Sequence, residues 1–376
     1  MIYISNKSLC CGCEACVQRC PKQCIAFSPD EEGFWYPRVN ESECINCGLC
    51  EKVCPVINQC KPQKPLNVYA AIYPVEEIRQ KSASGGVFTA IAEKVILEGG
   101  VVFGAVFNEC WEVVHSYVEL TENITKLRGS KYVQSRIGNT YQEVESFLNA
   151  GRKVLFSGTS CQVAGLKKFL RKEYDSLVTI DVVCHGVPSP QLWNDYLASL
   201  DNIAPIKMVN MKDKSDGWRG YKLTIDGEKG ILSERASTNK YMLAFSQNLS
   251  LRPSCYQCPA KEGKCCSDIT LADYWGVDKL LPKLYDDKGT SFVCINTSKG
   301  QAVQRKLSLI REIANYDASI PYNACIVKST TEPAFRASFW EQYKEKGIEA
   351  LDTLKPSRTN VIKRALRRLG RLIKQN

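Results

Sequence analysis

Two kinds of residue that anchor common functions are scarce here. Histidine occurs only twice in 376 residues, as His115 and His185. Mixed Cys/His zinc sites and histidine-centred catalytic triads therefore have almost no material. No stretch reaches the roughly 18 uninterrupted apolar residues of a membrane-spanning helix, which excludes an integral membrane protein. The opening residues MIYISNKSLCCGCEAC show neither a basic start nor an apolar core, so no secretory leader is expected and the reading is cytoplasmic. Acid is missing from residues 356–376, where Arg358, Lys363, Arg364, Arg367, Arg368, Arg371 and Lys374 stand. These seven account for most of the net charge of +10 and leave +3 for the rest. The basicity belongs to a tail, and nucleic acid is not an expected partner.

Cysteine is abundant, with 20 residues, eleven of them between Cys10 and Cys60. A disulfide scaffold is the bland explanation, but such frameworks are short and exported, and a metal protein fits better. Cys10, Cys13, Cys16 and Cys20 are followed by Pro21; Cys44, Cys47, Cys50 and Cys54 are followed by Pro55. Both runs read C-x2-C-x2-C-x3-C-P, repeated with a shift of 34 residues. This resembles the bacterial two-cluster ferredoxin pattern at every ligand position. In that pattern three thiolates of one run hold a cubane and the fourth ligates the other cluster. Cys10, Cys13, Cys16 and Cys54 then hold one 4Fe–4S cluster, and Cys44, Cys47, Cys50 and Cys20 the second. The competing reading is a pair of zinc knuckles, which usually show two Cys pairs split by a longer loop. Gly12 and Gly48 suit close backbone approach to the sulfides. Cys11, Cys24 and Cys60 take no assigned role. Residues 61–66, containing Lys61-Pro62-Gln63-Lys64-Pro65, read as a linker after a domain spanning 1–60.

From residue 67 the pattern becomes α/β. Val87, Phe88, Ile91, Val95 and Ile96 form one helical face that Gly99-Gly100 stops, and Val101–Phe107 reads as a strand. Two strand–helix units follow. Val154-Leu155-Phe156 runs into Gly158-Thr159-Ser160-Cys161, and Leu177–Val183 runs into Cys184-His185-Gly186-Val187-Pro188-Ser189. That order argues a parallel pair, with both cysteines at the carboxyl edge where open α/β sheets bind ligands. Cys255 and Cys258 add a C-x2-C, and Cys265 and Cys266 follow. A local zinc knuckle of Cys255, Cys258, Cys265 and Cys266 competes with the preferred reading, a third 4Fe–4S cluster on Cys161, Cys184, Cys255 and Cys258. Ser82-Ala83-Ser84-Gly85-Gly86 suits an anion at a helix start or a plain glycine turn.

Taken in order, Ser82–Gly86, Gly129-Ser130-Lys131-Tyr132-Val133-Gln134-Ser135, Gly158–Gln162, Cys184–Ser189, Cys255-x-x-Cys258 and Asp273-Tyr274-Trp275-Gly276 carry a resemblance. The chain resembles the family of coenzyme F420 hydrogenase/dehydrogenase beta subunits, in its bacterial branch with a fused two-cluster ferredoxin portion. One position departs: the family's Gly-Thr-Pro-Cys has Ser160 for proline here. The resemblance implies an α+β ferredoxin-like dicluster domain followed by a larger α/β domain over 67–355 that binds FAD and a 4Fe–4S cluster. It also implies electron transfer between iron–sulfur centres, the flavin and a second redox partner. Ser84, Gly85, Gly86, Ser130, Lys131 and Gln134 are its flavin-binding candidates, with Lys131 as a solvated lysine the alternative. Trp218, Arg219 and Tyr221 suit a pocket lining or plain core packing. No protein nucleophile is expected, and no catalytic residue is assigned; His185 and Asp273 suit structural hydrogen bonds or proton supply.

The resulting expectation is an iron–sulfur flavoprotein oxidoreductase fed by a redox protein such as ferredoxin and reducing a small-molecule acceptor, in surface polysaccharide biosynthesis. The alternative is a non-catalytic electron-transfer subunit. Val361, Ile362, Ala365, Leu366, Leu369, Leu372 and Ile373 line one face of a basic amphipathic helix over 356–376, suited to peripheral contact with an anionic membrane or to docking on protein.

Overall fold

The computed structural model describes residues 1–356. The amphipathic segment expected at the C-terminus falls outside the described residues, Pro356 excepted.

The N-terminal part keeps its repeat in three dimensions. The short helices Ala15–Arg19 and Leu49–Lys52 each follow a left-handed residue, Glu14 (φ 59°) and Gly48 (φ 69°). Glycine takes that conformation freely, whereas glutamate does so at a cost. Buried Glu14 gains something in return: its carboxylate accepts from Arg136 Nε at 2.9 Å and from the Ile137 amide at 3.0 Å. Between the two helices lies an antiparallel hairpin of β1 (Ile25–Pro29) and β2 (Trp35–Val39).

The larger part is built on an eight-stranded mixed sheet. Its strands are β3 (Asn67–Ile72), β4 (Val101–Phe107), β5 (Val113–Val118), β6 (Val154–Thr159) and β7 (Leu177–Val182). A separate antiparallel sheet follows, of β8 (Ile206–Asp213), β9 (Lys222–Gly227) and β10 (Ile231–Arg235). The chain then returns to the large sheet with β11 (Ile269–Asp273), β12 (Ser291–Ile295) and β13 (Ile310–Ile313). The order is β13-β3-β12-β11-β7-β6-β4-β5. Neighbours among β4, β6, β7 and β11 are parallel; β5, β12 and the β3–β13 pairing are antiparallel.

The middle strands are apolar over most of their length because both faces are covered. Val101, Phe103, Val154 and Phe156 pack under the helices Thr140–Asn149 and Ser160–Leu170. Val102, Leu155, Val178 and Ile180 face the helix Val87–Leu97. This is the two-residue alternation of a strand read on two buried sides. A further core around Trp193, Tyr241 and Trp340 also takes in Phe34 and Tyr36 from the dicluster part, so that part shares a core with the rest of the protein. Among the described residues no helix is long and apolar enough to cross a membrane.

The β6–β7 register pairs Thr159 with Val182, so Cys161 and Cys184 leave the same edge of neighbouring parallel strands. Asp273 ends β11 at that edge, opposite Ser291 of β12.

Candidate functional site

In the dicluster part the thiols sort across the two runs. The thiol of Cys16 lies in the field of Cys10, Cys54 and Cys50, and that of Cys13 in the field of Cys16 and Cys54. Cys20, Cys24, Cys44, Cys47 and Cys50 instead line a recess of about 360 Å³ that Cys54 does not reach. Cys20 Sγ lies 3.5 Å from Cys24 Sγ, and Cys47 is exposed, so this second thiol set is close to solvent. An all-thiol donor set with this grouping fits iron–sulfur clusters.

The core cysteines come from three elements. Thr159 and Gln162 form a reciprocal capping box at the start of the helix Ser160–Leu170, which places Cys161 in its first turn, with Thr159 Oγ1 3.2 Å from Cys161 Sγ. Ser160, standing where the family motif has proline, donates its hydroxyl to Asp181 at 2.7 Å, so a hydrogen bond holds the loop that a ring would stiffen. Cys184 follows β7, and Lys261 Nζ donates to its carbonyl at 2.7 Å. The Cys255 thiolate position receives the Val187 amide at 3.4 Å. Cys255 lies in the field of Cys184, Cys258 and Cys161. Cys265 lies against Asp181 and Ser267 and shares a recess with Cys161 and Cys60, and Cys266 lies against Cys60.

Burial pushes the Cys184 thiol up to about 12 and also raises Cys255 and Cys258. Cys161 is raised by its contact with Cys11 and then by burial. As free thiols these groups are protonated and poor nucleophiles; iron ligation deprotonates them outright. Among the described residues no three Cys, His, Asp or Glu side chains converge as a single ion requires. The core set is all thiol, the donor type that suits iron–sulfur chemistry.

The two thiol sets meet at a seam that sequence reasoning left unassigned. Cys11 lies between Cys13 and Cys161. Gly165, one turn beyond Cys161, makes the close approach possible: a Cβ there would sit 2.8 Å from Cys13 Cβ and 3.1 Å from its sulfur. Gly165→Val is expected to cost about 1–3 kcal/mol by overpacking. Thermal denaturation together with iron content checks this; an unchanged melting temperature would show that the seam has slack.

At the same sheet edge stand the other expected site residues. Gly86 (φ 86°) opens the helix Val87–Leu97. Ser84 Oγ donates to the Thr290 carbonyl at 2.9 Å. Gly85 is committed inside the protein, for its amide donates to Ser291 Oγ at 3.0 Å and a Cβ would lie 2.4 Å from the Ala71 carbonyl oxygen. Ser130 hydrogen-bonds the Tyr132 side chain. Lys131 Nζ donates to the Arg128 carbonyl at 3.0 Å, and burial lowers it to about 8. Gln134 is turned toward the dicluster part, with Nε2 donating to the Cys11 carbonyl at 3.4 Å and Oε1 accepting from Arg252.

Two buried lysines that the sequence did not single out complete this edge. Lys214 donates to the carbonyls of Arg79, Ser84 and Lys288 at 2.8, 3.1 and 2.6 Å. Burial, with Lys212 and Arg79 nearby, lowers it to about 7. Lys212 pairs with Asp273, whose other oxygen accepts from Trp218 Nε1 at 2.9 Å. Trp218 stacks on Trp275 at 4.7 Å, Arg219 pairs with Asp278, and Tyr221 lies 6.3 Å from Tyr132. Both ring nitrogens of His185 are occupied, by Asn248 at 2.6 Å and by Cys325 at 3.7 Å, so a structural role is what its geometry offers.

Three family profiles match the chain. A 4Fe-4S dicluster domain profile matches residues 9–58. Two profiles described as coenzyme F420 hydrogenase/dehydrogenase, beta subunit, also match, the N-terminal one over 68–140 and the C-terminal one over 151–314. The chain belongs to this family of coenzyme F420 hydrogenase/dehydrogenase beta subunits. It is an iron–sulfur member, of oxidoreductase type, with a dicluster domain ahead of the family region. A coenzyme F420-dependent sulfite reductase of Methanocaldococcus jannaschii is 27% identical over 81% of this chain and 47% of that protein. The chain thus spans about half the length of that relative. One of the subunits of the F(420)H(2) dehydrogenase of Methanosarcina mazei is 23% identical over 60% of this chain and 67% of its own length. A chain in a solved structure of the F420-reducing NiFe hydrogenase complex from Methanosarcina barkeri superposes at TM-score 0.45 and 16% identity, over 77% of this chain and 91% of that one.

Proposed function

We propose that this member of the family is an iron–sulfur flavoprotein oxidoreductase. It takes single electrons from a ferredoxin-type redox protein and delivers them in pairs to a small-molecule acceptor. The observation that carries the reading is the seam: Cys11 of the dicluster part lies between Cys13 and the core set's Cys161, and Gly165, one turn beyond Cys161, packs against Cys13. When bound, cubanes supply one-electron relay and FAD supplies exchange between one-electron and two-electron chemistry. Cys20, Cys44, Cys47 and Cys50 would hold the outermost cluster, where the exposed Cys47 offers a donor close approach. Cys161, Cys184, Cys255 and Cys258 would hold the innermost. For FAD the support is the helix start at Gly86, where an anionic pyrophosphate is favoured, with Lys214 bonded to the neighbouring Ser84 carbonyl. Ser130 and Lys131 are the remaining side-chain candidates, since Gly85 and Gln134 are engaged within the protein.

The second reading, an electron-transfer subunit, feeding a separate enzyme, is favoured by the relatives named as subunits and by the partial span of the sulfite reductase. The setting we propose is surface polysaccharide synthesis at the cytoplasmic face of the membrane. Its support is the basic amphipathic composition of residues 356–376.

Anaerobically purified protein is expected to hold about one FAD per chain as its two-electron cofactor. Mixed with reduced bacterial ferredoxin in a stopped-flow instrument, that flavin should bleach in the wild type and not in Cys161→Ser. Flavin-free protein would remove the flavin from the scheme, and equal bleaching in the variant would remove the core relay. Turnover of a small molecule only after adding a partner protein would decide for the second reading.

A further inference from the structure

Three arginines among the described residues are almost fully buried. Two are paired conventionally, Arg79 with Asp286 and Arg336 with Glu32. The third, Arg252, is 0% exposed and has no carboxylate partner among the described residues. Residues 357–376 contain no Asp or Glu that might supply one. Its fork is spent on neutral acceptors: Nε to the Cys10 carbonyl at 2.7 Å, Nη1 to Gln134 Oε1 at 3.1 Å, and Nη2 to the Trp35 carbonyl at 2.9 Å. The ring of Tyr36 lies 4.2 Å from the guanidinium carbon. A buried cation with only dipoles around it is costly, and proteins nearly always give it a counter-charge.

The surroundings say where that counter-charge lies. The guanidinium touches Cys10 of the first run. The Arg252 backbone opens the turn that carries Cys255, whose amide donates to the Arg252 carbonyl at 2.9 Å. Gly12 makes the room, since a Cβ there would lie 2.4 Å from Gln134 Nε2 and 2.9 Å from Arg252 Nη1. Its repeat counterpart Gly48 has nothing within 4 Å. The two halves of the dicluster part are therefore unequal: a buried cation serves the first and not the second.

We infer that Arg252 is the shared counter-ion of two clusters, one on Cys10, Cys13, Cys16 and Cys54, the other on Cys161, Cys184, Cys255 and Cys258. The second half of this inference rests on the core-cluster reading above. A cluster gains one negative charge when it takes the electron its donor loses, with no proton or bond exchanged. A fixed cation beside it therefore raises its midpoint potential, while a cluster on Cys20, Cys44, Cys47 and Cys50, whose residues Arg252 does not hydrogen-bond, receives no such lift from it. Arg252 acts as a positioning and charge-setting residue.

The test is an EPR-monitored redox titration of the full chain under anaerobic conditions, with iron content as the check on folding and Cys44→Ser used to assign the surface cluster. Gln134→Glu places a carboxylate against the guanidinium at nearly constant volume, and Arg252→Gln removes the charge. Both should move the flanking midpoints to lower potential and leave the surface cluster unmoved, while Arg252→Lys, which keeps the charge, should shift them less. If Arg252→Gln loses iron, Gln134→Glu decides. Flanking midpoints that stay put at full iron, or a shift shared equally by all clusters, overturn the inference. A wild type with about eight iron atoms instead of about twelve would sink the core cluster alone, and Arg252 is then judged by the same shift at the Cys10 cluster.

Discussion

Cys184→Ser is expected to strip about four iron atoms from a chain that otherwise carries about twelve. The four core thiols come from the helix after β6, the loop after β7 and the turn Pro253–Gln257 with its following residue, so no local segment rebuilds the set if one is lost. Cys161→Ser, Cys255→Ser and Cys258→Ser should cause the same loss, and double variants among the four should lose no more. Cys265→Ser and Cys266→Ser should keep full iron, because their sulfurs lie against Asp181 and Cys60 instead. Iron and sulfide per chain read the result. Full iron in Cys184→Ser would dissolve the core set, and loss in Cys265→Ser or Cys266→Ser would redraw it around the local knuckle.

The crossing of ligands between the two N-terminal runs has an equally large signature. Cys54 ends the second run in sequence, yet its thiol interacts with Cys10, Cys13 and Cys16 as well as with Cys50 of its own run, and Cys20, Cys44, Cys47 and Cys50 line a recess of their own. Cys54→Ser should therefore cost about four iron atoms, and adding Cys10→Ser should cost nothing further. Adding Cys44→Ser to Cys54→Ser should instead empty both sites, a loss of about eight. An uncrossed arrangement gives the opposite result for the two double variants, so the iron assay separates them without reliance on spectral assignment.

Much of this was legible in the sequence wherever spacing is itself the chemistry. The two C-x2-C-x2-C-x3-C runs define their ligands because a cubane corner demands that geometry. The strand–helix–strand order around Cys161 and Cys184 implies a parallel pair, and β6 and β7 are parallel. Strand Val101–Phe107 and the helical face from Val87 were readable by periodicity. The antiparallel flanks β3, β12 and β13 were not, since pairing between strands more than two hundred residues apart leaves no local trace. The sheet β8–β10 had a signal that went unused, the alternation of buried Leu223 and Ile225.

The side chains that join the site were the least legible. Arg252 is a single residue before a proline, and its partners are 118 and 242 positions away. Lys212 and Lys214 look like ordinary solvated charges until the fold closes over them. Gln134 and Gly85 stand inside family motifs, but their polar groups face the Cys11–Arg252 seam and the β12 strand rather than open space. A motif marks a neighbourhood, and only packing reveals which atoms within it remain available.

Glu14, Gln18, Arg19 and Phe34 fasten the dicluster part to the larger one through Arg136, Tyr141, Phe169 and the Trp193 core. A carrier that must collide with its target is throttled by dilution, by ionic strength and by the viscosity of the medium. Here those influences reach only the outer encounter with the donor; once an electron has arrived, the next hop spans a separation set by packing and repeats identically on every passage.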